Sequence, residues 1–366
     1  MFSNPFPNAF GLDIGDLSIK LVQLKKREFF RRQAHYDLIT CRSISLPTGL
    51  IVNGELQKPE EVRKYIQKLL ASSPKQKAIS SPWVIASLPE TKSFIKLIQI
   101  KKPADELIND DISIAVKKHI PLDESNYYLQ WQIIPPLNYK DKTNILVGAI
   151  PKLISDSFTY LLESVGLGVV ALELEPVAIA RAMVTAHKQY SEEARAILDI
   201  GATRSCLIIY DNEVAQFSIS IPFSGEDITS AISQQMHCSH DEAEEMKTKI
   251  GLQYNQRQNQ VWTIISDTSK ELIADIKNAL NFYYTHFTNA HKINRIIMCG
   301  GGTNLPRLDR VISSELKIIA RPGLPWKNLG QKIHTPIDQQ KSLEYATAIG
   351  LALRAADNPF FVKHLL

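Results

Sequence analysis

The sequence reads FGLDIG at residues 10–15 and AILDIG at residues 196–201, and a short polar turn follows each copy. After the turn the chain continues into an alternating strand, predicted over 19–24 in the first copy and over 205–210 in the second. The same strand–turn–strand unit therefore occurs twice. Such a repeat indicates two similar lobes that face one another.

The two copies are a whole domain apart. Their aspartates, Asp13 and Asp199, are separated by 199 − 13 = 186 positions. Each copy continues as a meander followed by a helix. A strand and a helix are predicted over 36–46 and 59–70 in the first copy, and over 214–221 and 226–236 in the second.

The block between the copies has a different pattern. It reads strand, strand, helix, strand, strand, helix, with elements predicted over 83–88, 94–100, 104–119, 127–134, 144–150 and 152–165. The first of these helices is expected to end before Pro121. At about 85 residues the block is long enough to hold a small core of its own, so we expect an inserted α+β subdomain over 82–167.

The rest of the second half is mostly helical. Helices are predicted over 241–250, 269–290, 305–316 and 342–355, and a buried strand over 295–299. The last helix is rich in small residues, which suit close packing against another backbone. These residues are Ala346, Ala348, Gly350 and Ala352.

The composition is that of a globular protein, with 44% hydrophobic and 22% charged residues in a chain of 366. The net charge of +4 comes from 42 basic and 38 acidic side chains, so we expect no nucleic-acid partner. The four cysteines form no C-x-x-C pair, which points to a reducing compartment. No apolar stretch approaches the roughly 20 residues of a membrane span, and we expect a soluble, cytoplasmic protein.

One segment mixes positive charge with aromatic side chains, from Lys25 to Arg32. A charged run between two strands is usually a solvated turn. The aromatic residues leave contact with a membrane surface as the alternative.

The glycines of the two turns, Gly15 and Gly201, suit an anion site. A tight turn between strands directs backbone N–H groups to one point, where phosphate oxygens fit. Asp13 and Asp199 would then face one triphosphate from opposite lobes and hold Mg²⁺ through water. Lys20 either neutralises a phosphate or remains a solvated strand lysine.

A glycine triplet, Gly300 to Gly302, follows a buried strand and precedes a helix. This placement is typical of a backbone that passes close to a planar ligand or a phosphate. The triplet is not a G-x-G-x-x-G fingerprint, which argues against a dinucleotide dehydrogenase. The sequence also has no G-x-x-x-x-G-K-[ST] loop, which excludes a P-loop NTPase.

Together these stretches resemble the actin/Hsp70/sugar-kinase superfamily, and most closely its PilM family of type IV pilus assembly proteins, a relative of the cell-division protein FtsA. The resemblance runs over essentially the whole chain. It is carried by GLDIGDLSIKLVQL, ALELEPVAIARA, ILDIGATRSCLIIY with FSISIPFSGEDIT, DEAEEMK, IIMCGGGTNLPRL and EYATAIGLALR. It implies an α/β, actin-like bilobed fold that binds ATP and Mg²⁺ between the lobes.

The resemblance also implies how the chain is divided. The first lobe would cover 9–80 and be completed by 168–194 and 340–366. The insert over 82–167 would be SHS2-like, and the second lobe would cover 195–339 with a helical subdomain over 237–292.

Site residues follow from the same resemblance. The first phosphate loop would comprise Asp13, Gly15, Ser18 and Lys20, and the second Asp199, Gly201, Ala202 and Thr203. Glu244 and Lys247 would reach the nucleoside, and Gly301, Gly302 and Thr303 would form the adenosine loop. Glu175 and Asp199 would be catalytic, near Mg²⁺ or the attacking water, and Asp13 and Asp199 would be the metal-site residues.

Some of these residues have a second interpretation. Glu175 is also explained as a helix N-terminal charge, and Glu244 with Lys247 as a surface ion pair. Asp16 stands where PilM-like sequences often have a small hydroxyl residue. Its carboxylate either points outward or weakens nucleotide affinity by repulsion.

The resemblance implies a cytoplasmic protein that is peripherally associated with the inner membrane. It would bind the cytoplasmic N-terminal peptide of PilN in a groove between the first lobe and the insert, and contact other pilus platform proteins and assembly ATPases. A nucleotide-dependent assembly protein with at most weak ATPase activity is favoured, and self-association is left open.

The alternatives are an FtsA-like division protein, a type II secretion platform protein and a sugar-kinase-type phosphotransferase. No motif for a kinase's aspartate base is recognisable. Residues 359–366 are too short for an FtsA-type amphipathic anchor.

Overall fold

A computed structural model describes residues 4–27, 35–74, 76–119, 125–134, 141–186, 188, 190, 192–254, 256, 259–287, 289–330 and 337–357. Three features discussed above lie outside these residues. They are residues 28–32 of the basic and aromatic segment, Pro121, and the C-terminal stretch 359–366.

The first half of the chain alternates groups of strands with helices. In chain order these are β1 (Phe10–Ile14), β2 (Ser18–Arg27), β3 (His35–Ser45), β4 (Ile51–Val52), β5 (Glu55–Leu56), α1 (Pro59–Leu70), β6 (Trp83–Leu88), β7 (Phe94–Ile100), α2 (Asn109–His119), β8 (Tyr127–Ile134), β9 (Thr143–Pro151), α3 (Lys152–Ser164), β10 (Gly168–Leu174) and α4 (Glu175–Met183).

The second half has more helix. Its elements are β11 (Glu193–Ile200), β12 (Ser205–Asp211), β13 (Val214–Ile221), α5 (Gly225–Met236), α6 (His240–Ile250), α7 (Asn259–His286), β14 (Lys292–Cys299), α8 (Leu308–Leu316), β15 (Ile319–Pro322), α9 (Gln339–Ser342) and α10 (Ala346–Ala356). Helix α7 begins at Asn259 rather than at 269, because Val261, Ile264 and Ile265 continue its buried stripe. The predicted last helix is divided into α9, a 3₁₀ turn and α10.

Each half builds a sheet of its own, and the two sheets have the same arrangement of strands. The strand order is β10-β6-β1-β2-β3 in the first half and β15-β14-β11-β12-β13 in the second. In both, an antiparallel hairpin is followed on one side by two strands parallel to its first strand. The duplication predicted from the two turns is therefore confirmed, and the fold is α/β with two lobes of the same sheet topology.

Each sheet has its own helices on one face. Helices α1 and α3 bury Val62, Ile66 and Phe158 in the core of the first lobe. Helices α5 and α7 bury Ile232 and Ile276 in the core of the second. Each lobe therefore has a separate hydrophobic core.

Helices α4 and α10 pack against each other between the two sheets. Helix α10 lies on β1, β2 and β6, whereas α4 also contacts β11, β12 and β13. A Cβ atom on Gly350 would lie 1.8 Å from the carbonyl oxygen of Ala178, and one on Gly11 would lie 2.5 Å from the backbone nitrogen of Ala352. The small face predicted for the last helix is thus in close backbone contact.

Strand β6 belongs to the first sheet and not to the insert. It pairs in parallel with β1, with Val84 opposite Phe10, and α3 places Phe158 in the first lobe's core. Both elements had been expected in the insert over 82–167. A buried parallel strand of a sheet and a strand of an insert both appear in the sequence as a short apolar run, so the local pattern does not distinguish them.

The separate module consists of β7, α2, β8 and β9. Its strands, in the order β7-β9-β8, extend the second sheet, because β7 meets β13 where Lys96 lies opposite Phe217. Helix α2 covers one face of this extension with Ile112 and Val116. In the part of the chain that the structure describes, no helix has both the length and the apolar character of a membrane span.

The contact between α4 and α10 predicts a strong effect of one added methyl group. We expect Gly350→Ala to destabilise the fold by about 1–3 kcal/mol through overpacking, and Gly350→Leu to destabilise it more. Urea unfolding measures the free energy. As a control, a Cβ on Gly148 would meet the side-chain end of Leu174 at 3.1 Å, so Gly148→Ala should change stability by less than about 1 kcal/mol. Unchanged stability of Gly350→Ala would contradict the contact.

Candidate functional site

A cavity of about 430 Å³ opens between the two lobes. Its wall includes the β1–β2 and β11–β12 turns, the start of α4, one face of α6 and the turn after β14. The residues predicted from the sequence that line it are Asp13, Gly15, Ser18, Lys20, Glu175, Asp199, Gly201, Ala202, Thr203, Glu244, Lys247, Gly301 and Gly302. The fold thus gathers side chains from distant parts of the chain at one place.

The two hairpins at the cavity have matching turns. The backbone nitrogen of Gly15 donates to the carbonyl oxygen of Ser18 at 3.0 Å, and that of Gly201 donates to the carbonyl oxygen of Arg204 at 2.9 Å. A Cβ atom on Gly201 would lie 2.6 Å from the Arg204 oxygen. The turn therefore requires glycine for steric reasons.

The strand register pairs Asp13 with Lys20 in the first hairpin and Asp199 with Cys206 in the second. Lys20 Nζ donates to Ser18 Oγ at 2.8 Å and lies 3.9 Å from Asp13 Oδ2. The Lys20 side chain is 15% exposed. It is therefore a residue of the cavity wall and not a solvated strand lysine.

Strand β6 holds Asp13 in place. Ser87 Oγ donates to Asp13 Oδ1 at 3.2 Å and accepts a hydrogen bond from the backbone nitrogen of Ile14 at 3.0 Å. Burial raises the pKa of Asp13, although Lys20 and Ser87 act in the opposite direction. Ser87 thus fixes the orientation of the Asp13 carboxyl group.

Three more carboxyl groups line the cavity: Glu90, which is buried, and Glu175 and Asp199, which are half-buried. Burial raises the pKa of Asp199 to about 6 and the pKa of Glu90 to about 7. Burial, together with repulsion from the other three carboxylates, raises the pKa of Glu175 well above its ordinary value. The backbone nitrogen of Glu90 donates to Glu175 Oε2 at 3.4 Å. A wall with these groups favours a bound cation.

The carboxylates fit Mg²⁺ better together with phosphate than alone. Among the described residues, no three His, Cys, Asp or Glu side chains are arranged to hold a metal ion. Asp13 and Asp199 are nevertheless close enough that the Asp13 charge contributes to the raised pKa of Asp199. Mg²⁺ keeps several waters and accepts phosphate oxygens as ligands, so it needs few protein carboxylates.

Helix α6 contributes a hydrogen-bonded cluster to the wall. Lys247 Nζ donates to the carbonyl oxygen of Gly225 at 2.9 Å, to Thr229 Oγ1 at 2.8 Å and to Glu244 Oε2 at 2.6 Å. The Lys247 side chain is only 12% exposed. Both residues line the cavity, where Lys247 packs against Gly225 and Thr229 and the Glu244 side chain is 46% exposed.

The glycine triplet packs directly against the second hairpin. Gly300 has φ of +80°, and a Cβ atom on Gly302 would lie 2.2 Å from Ile200 Cγ2. Thr303 does not line the cavity, although it was predicted in the adenosine loop. It is buried, and its hydroxyl donates to the carbonyl oxygen of Cys299 at 2.5 Å. Thr303 therefore provides a hydrogen-bond partner for the carbonyl group at the end of β14.

Sequence reasoning missed several residues of the site. Ser87, which orients Asp13, and the lining residues Glu90, Cys206, Gly225 and Glu344 were not predicted. Glu90 comes just after β6, which had been assigned to the insert. With β6 recognised as a parallel strand of the first sheet, its carboxyl end would have indicated a ligand site.

The chain that forms this site matches a known protein family. The family described as type IV pilus assembly protein PilM matches residues 11–356. The chain belongs to the PilM family. The matched range includes both hairpins, the glycine triplet and the insert, and the chain is accordingly a type IV pilus assembly component.

Solved structures share the fold. The chain is similar to the structure described as the PilM–PilN type IV pilus biogenesis complex, with a TM-score of 0.80, 22% identity, and 96% of this chain and 100% of that chain covered. The chain is also similar to the ethanolamine utilization protein EutJ from Carboxydothermus hydrogenoformans, with a TM-score of 0.55, 13% identity, and 95% of this chain and 90% of that chain covered. For MreB 5 of Spiroplasma citri bound to AMPPNP the TM-score is 0.53 and the identity 12%, with 94% of this chain and 95% of that chain covered.

The buried carboxyl group of Glu90 predicts a pH dependence of stability. Its pKa is raised from 4.5 in the ordinary case to about 7 in the fold. The protonated form therefore stabilises the fold fully below pH 4.5, and this contribution is lost as the pH rises through about 7. Glu90→Gln, which stays neutral, should raise stability at pH 8 by about 1–3 kcal/mol and have little effect at pH 5.

Thermal unfolding at both pH values measures this effect. Glu60→Gln is the matched control because the Glu60 side chain is 76% exposed. A stability difference between Glu90→Gln and the parent that does not vary with pH would contradict the burial of a titrating carboxyl group.

Proposed function

We propose that the chain binds ATP with Mg²⁺ in the cavity between the lobes. The observation that carries the proposal is the pair of matching hairpins on one cavity wall, with Asp13 and Asp199 in equivalent positions. Tight turns and a lysine suit phosphate oxygens. The similar fold of MreB 5, solved with AMPPNP, adds support.

The position of each residue suggests its role. Gly15, Ser18 and Lys20 of the first lobe and Gly201, Ala202 and Thr203 of the second would contact the phosphates. Glu244, Lys247, Gly301 and Gly302 would contact the nucleoside. Bound Mg²⁺ would offset the charges of phosphates and carboxylates, with Asp13 and Asp199 facing it through water.

Glu175 is the proposed catalytic carboxylate, with Asp199 beside it, and it limits the rate of hydrolysis. Burial and the neighbouring carboxylates raise its pKa well above the ordinary value, which disfavours the ionised form. A protonated carboxyl group cannot accept a proton from water. We therefore propose that the chain is mainly a nucleotide-binding assembly protein with at most weak ATPase activity.

The two-hairpin site predicts that both aspartates are needed for nucleotide binding. Asp13→Ala and Asp199→Ala should each weaken binding of a fluorescent ATP analogue in the presence of Mg²⁺ by about tenfold or more, because each removes a charge that faces the metal and phosphates. Fluorescence titration gives the affinity, and thermal unfolding shows that the fold is kept. Parent-like binding by the double variant would contradict the proposal.

We also propose that the partner is the cytoplasmic N-terminal peptide of PilN, and that the chain lies in the cytoplasm at the inner membrane through this contact. The similarity to the PilM–PilN complex extends over 96% of this chain and so includes the insert. Other pilus platform proteins and assembly ATPases would meet the chain in the same assembly.

The module of β7, α2, β8 and β9 offers a face for such a peptide. Helix α2 covers one face of its sheet. The opposite face packs, together with Leu38 of β3, against the hydrophobic core formed around α4 and α10, and its residues are Ile95, Leu97, Ile134 and Leu146. Leu97, Ile134 and Leu38 are only partly buried. In the described sheets β3 and β8 are also edge strands, and an edge strand can pair with an extended peptide.

The groove between β3 and the partly buried side chains of β7 and β8 predicts a specific loss of affinity for the peptide. A synthetic peptide of the PilN cytoplasmic N-terminus should bind with a Kd of about 1 μM, roughly −8 kcal/mol. Leu97→Ser should weaken binding about tenfold because an apolar contact is lost. Ile114→Ser removes an apolar side chain that is 54% exposed on α2 and should leave the affinity unchanged.

Calorimetric titration of the peptide into both variants measures the difference. Thermal unfolding confirms that each variant is folded. Equal affinities for the two variants would contradict the proposed position of the groove.

A further inference from the structure

Asp16 connects the two lobes at the cavity. Its Oδ2 accepts hydrogen bonds from the backbone nitrogen of Asn53 at 3.0 Å and from Thr203 Oγ1 at 3.1 Å, and its Oδ1 accepts one from the backbone nitrogen of Gly54 at 3.0 Å. Asp16 is half-buried and lines the cavity. Its carboxylate therefore points between the lobes and not outward.

The turn that faces Asp16 is shaped like an anion site. Asn53 and Gly54 both have positive φ, 51° and 75°, and two successive amides in such a turn can converge on one negatively charged group. Thr91 Oγ1 donates to the carbonyl oxygen of Asn53 at 3.0 Å, and Arg204 Nε donates to Asn53 Oδ1 at 3.2 Å. The turn is thus held from both lobes.

The internal repeat shows that the hairpin does not require an acid at this position. With the offset of 186 residues between Asp13 and Asp199, Asp16 corresponds to Ala202. The second hairpin nevertheless forms the same turn hydrogen bond as the first. The carboxylate of Asp16 consequently has a task other than forming its own turn.

The groups that bind Asp16 are all donors: two backbone amides and the hydroxyl of Thr203, which lines the cavity beside Gly201 and Ala202. Such donors also bind phosphate oxygens. A phosphate at the second hairpin would meet the Asp16 carboxylate on the same hydroxyl, and two negative groups at that distance repel each other.

We propose that Asp16 is a specificity-determining residue that competes with the terminal phosphate of a nucleoside triphosphate for Thr203. This inference rests on the proposed binding of nucleotide in the cavity. A triphosphate must displace the carboxylate from Thr203, whereas a diphosphate, which lacks the terminal group, leaves the bridge intact. Asp16 thereby lowers the affinity for ATP more than the affinity for ADP and makes the bridge between the lobes sensitive to the terminal phosphate.

The test compares the affinities of the full chain for a fluorescent ATP analogue and for ADP, both with Mg²⁺. Asp16→Asn and Asp16→Ser remove the charge with side chains of different length. Each should bind the ATP analogue about tenfold more tightly, with ADP changed by less than about twofold. Asp16→Glu keeps the charge and should not gain ATP affinity.

Asp267→Asn is the matched control, since Asp267 lies on α7 with 62% of its side chain exposed, and it should behave as the parent. An unchanged or lower ratio of ATP to ADP affinity in both neutral variants overturns this inference while leaving the proposed function in place. Absence of nucleotide binding in the parent and in every folded variant overturns the proposed function and this inference with it.

Discussion

Helices α4 and α10 touch backbone to backbone at Ala178 and Gly350, and the relative position of the two lobes depends on this contact. Helix α10 lies on the first sheet, and α4 reaches the second. Because protein interiors are close-packed, neither helix can move apart or closer without a cost in packing. The two hairpins are therefore held at a separation that leaves a cavity between them.

The cavity concentrates carboxyl groups that are costly to bury. Asp13, Glu90, Glu175 and Asp199 all have raised pKa values, in each case mainly because of burial. Such an arrangement opposes stability and is typical of functional sites. It is physically reasonable if a cation and an anionic ligand enter together, since the cation offsets both sets of charges.

The duplication is structural, whereas the chemistry of the two halves differs. Both hairpins keep the aspartate and the glycine, but the partner opposite the aspartate is Lys20 in one and Cys206 in the other. Asp16 likewise has Ala202 as its counterpart. Positions that maintain the turn are thus the same in both halves. The residues opposite the aspartate and at the position of Asp16, which line the cavity, differ between the halves.

The sequence by itself determined the duplicated lobes, both hairpins and the small face of the last helix, because these depend on local patterns: an apolar strand, a glycine turn and helical spacing. Only the tertiary structure decided where β6 belongs, since parallel pairing of Val84 with Phe10 leaves no local mark. The same is true of Glu90 at the end of that strand, of Thr203 reaching Asp16, and of Thr303 turning to Cys299 instead of the cavity. Each of these contacts joins residues that are far apart in the sequence or depends on the direction of the backbone at one turn. The order of strands in the sheet and that backbone direction decide which residues meet, and the local spacing of residue types contains neither.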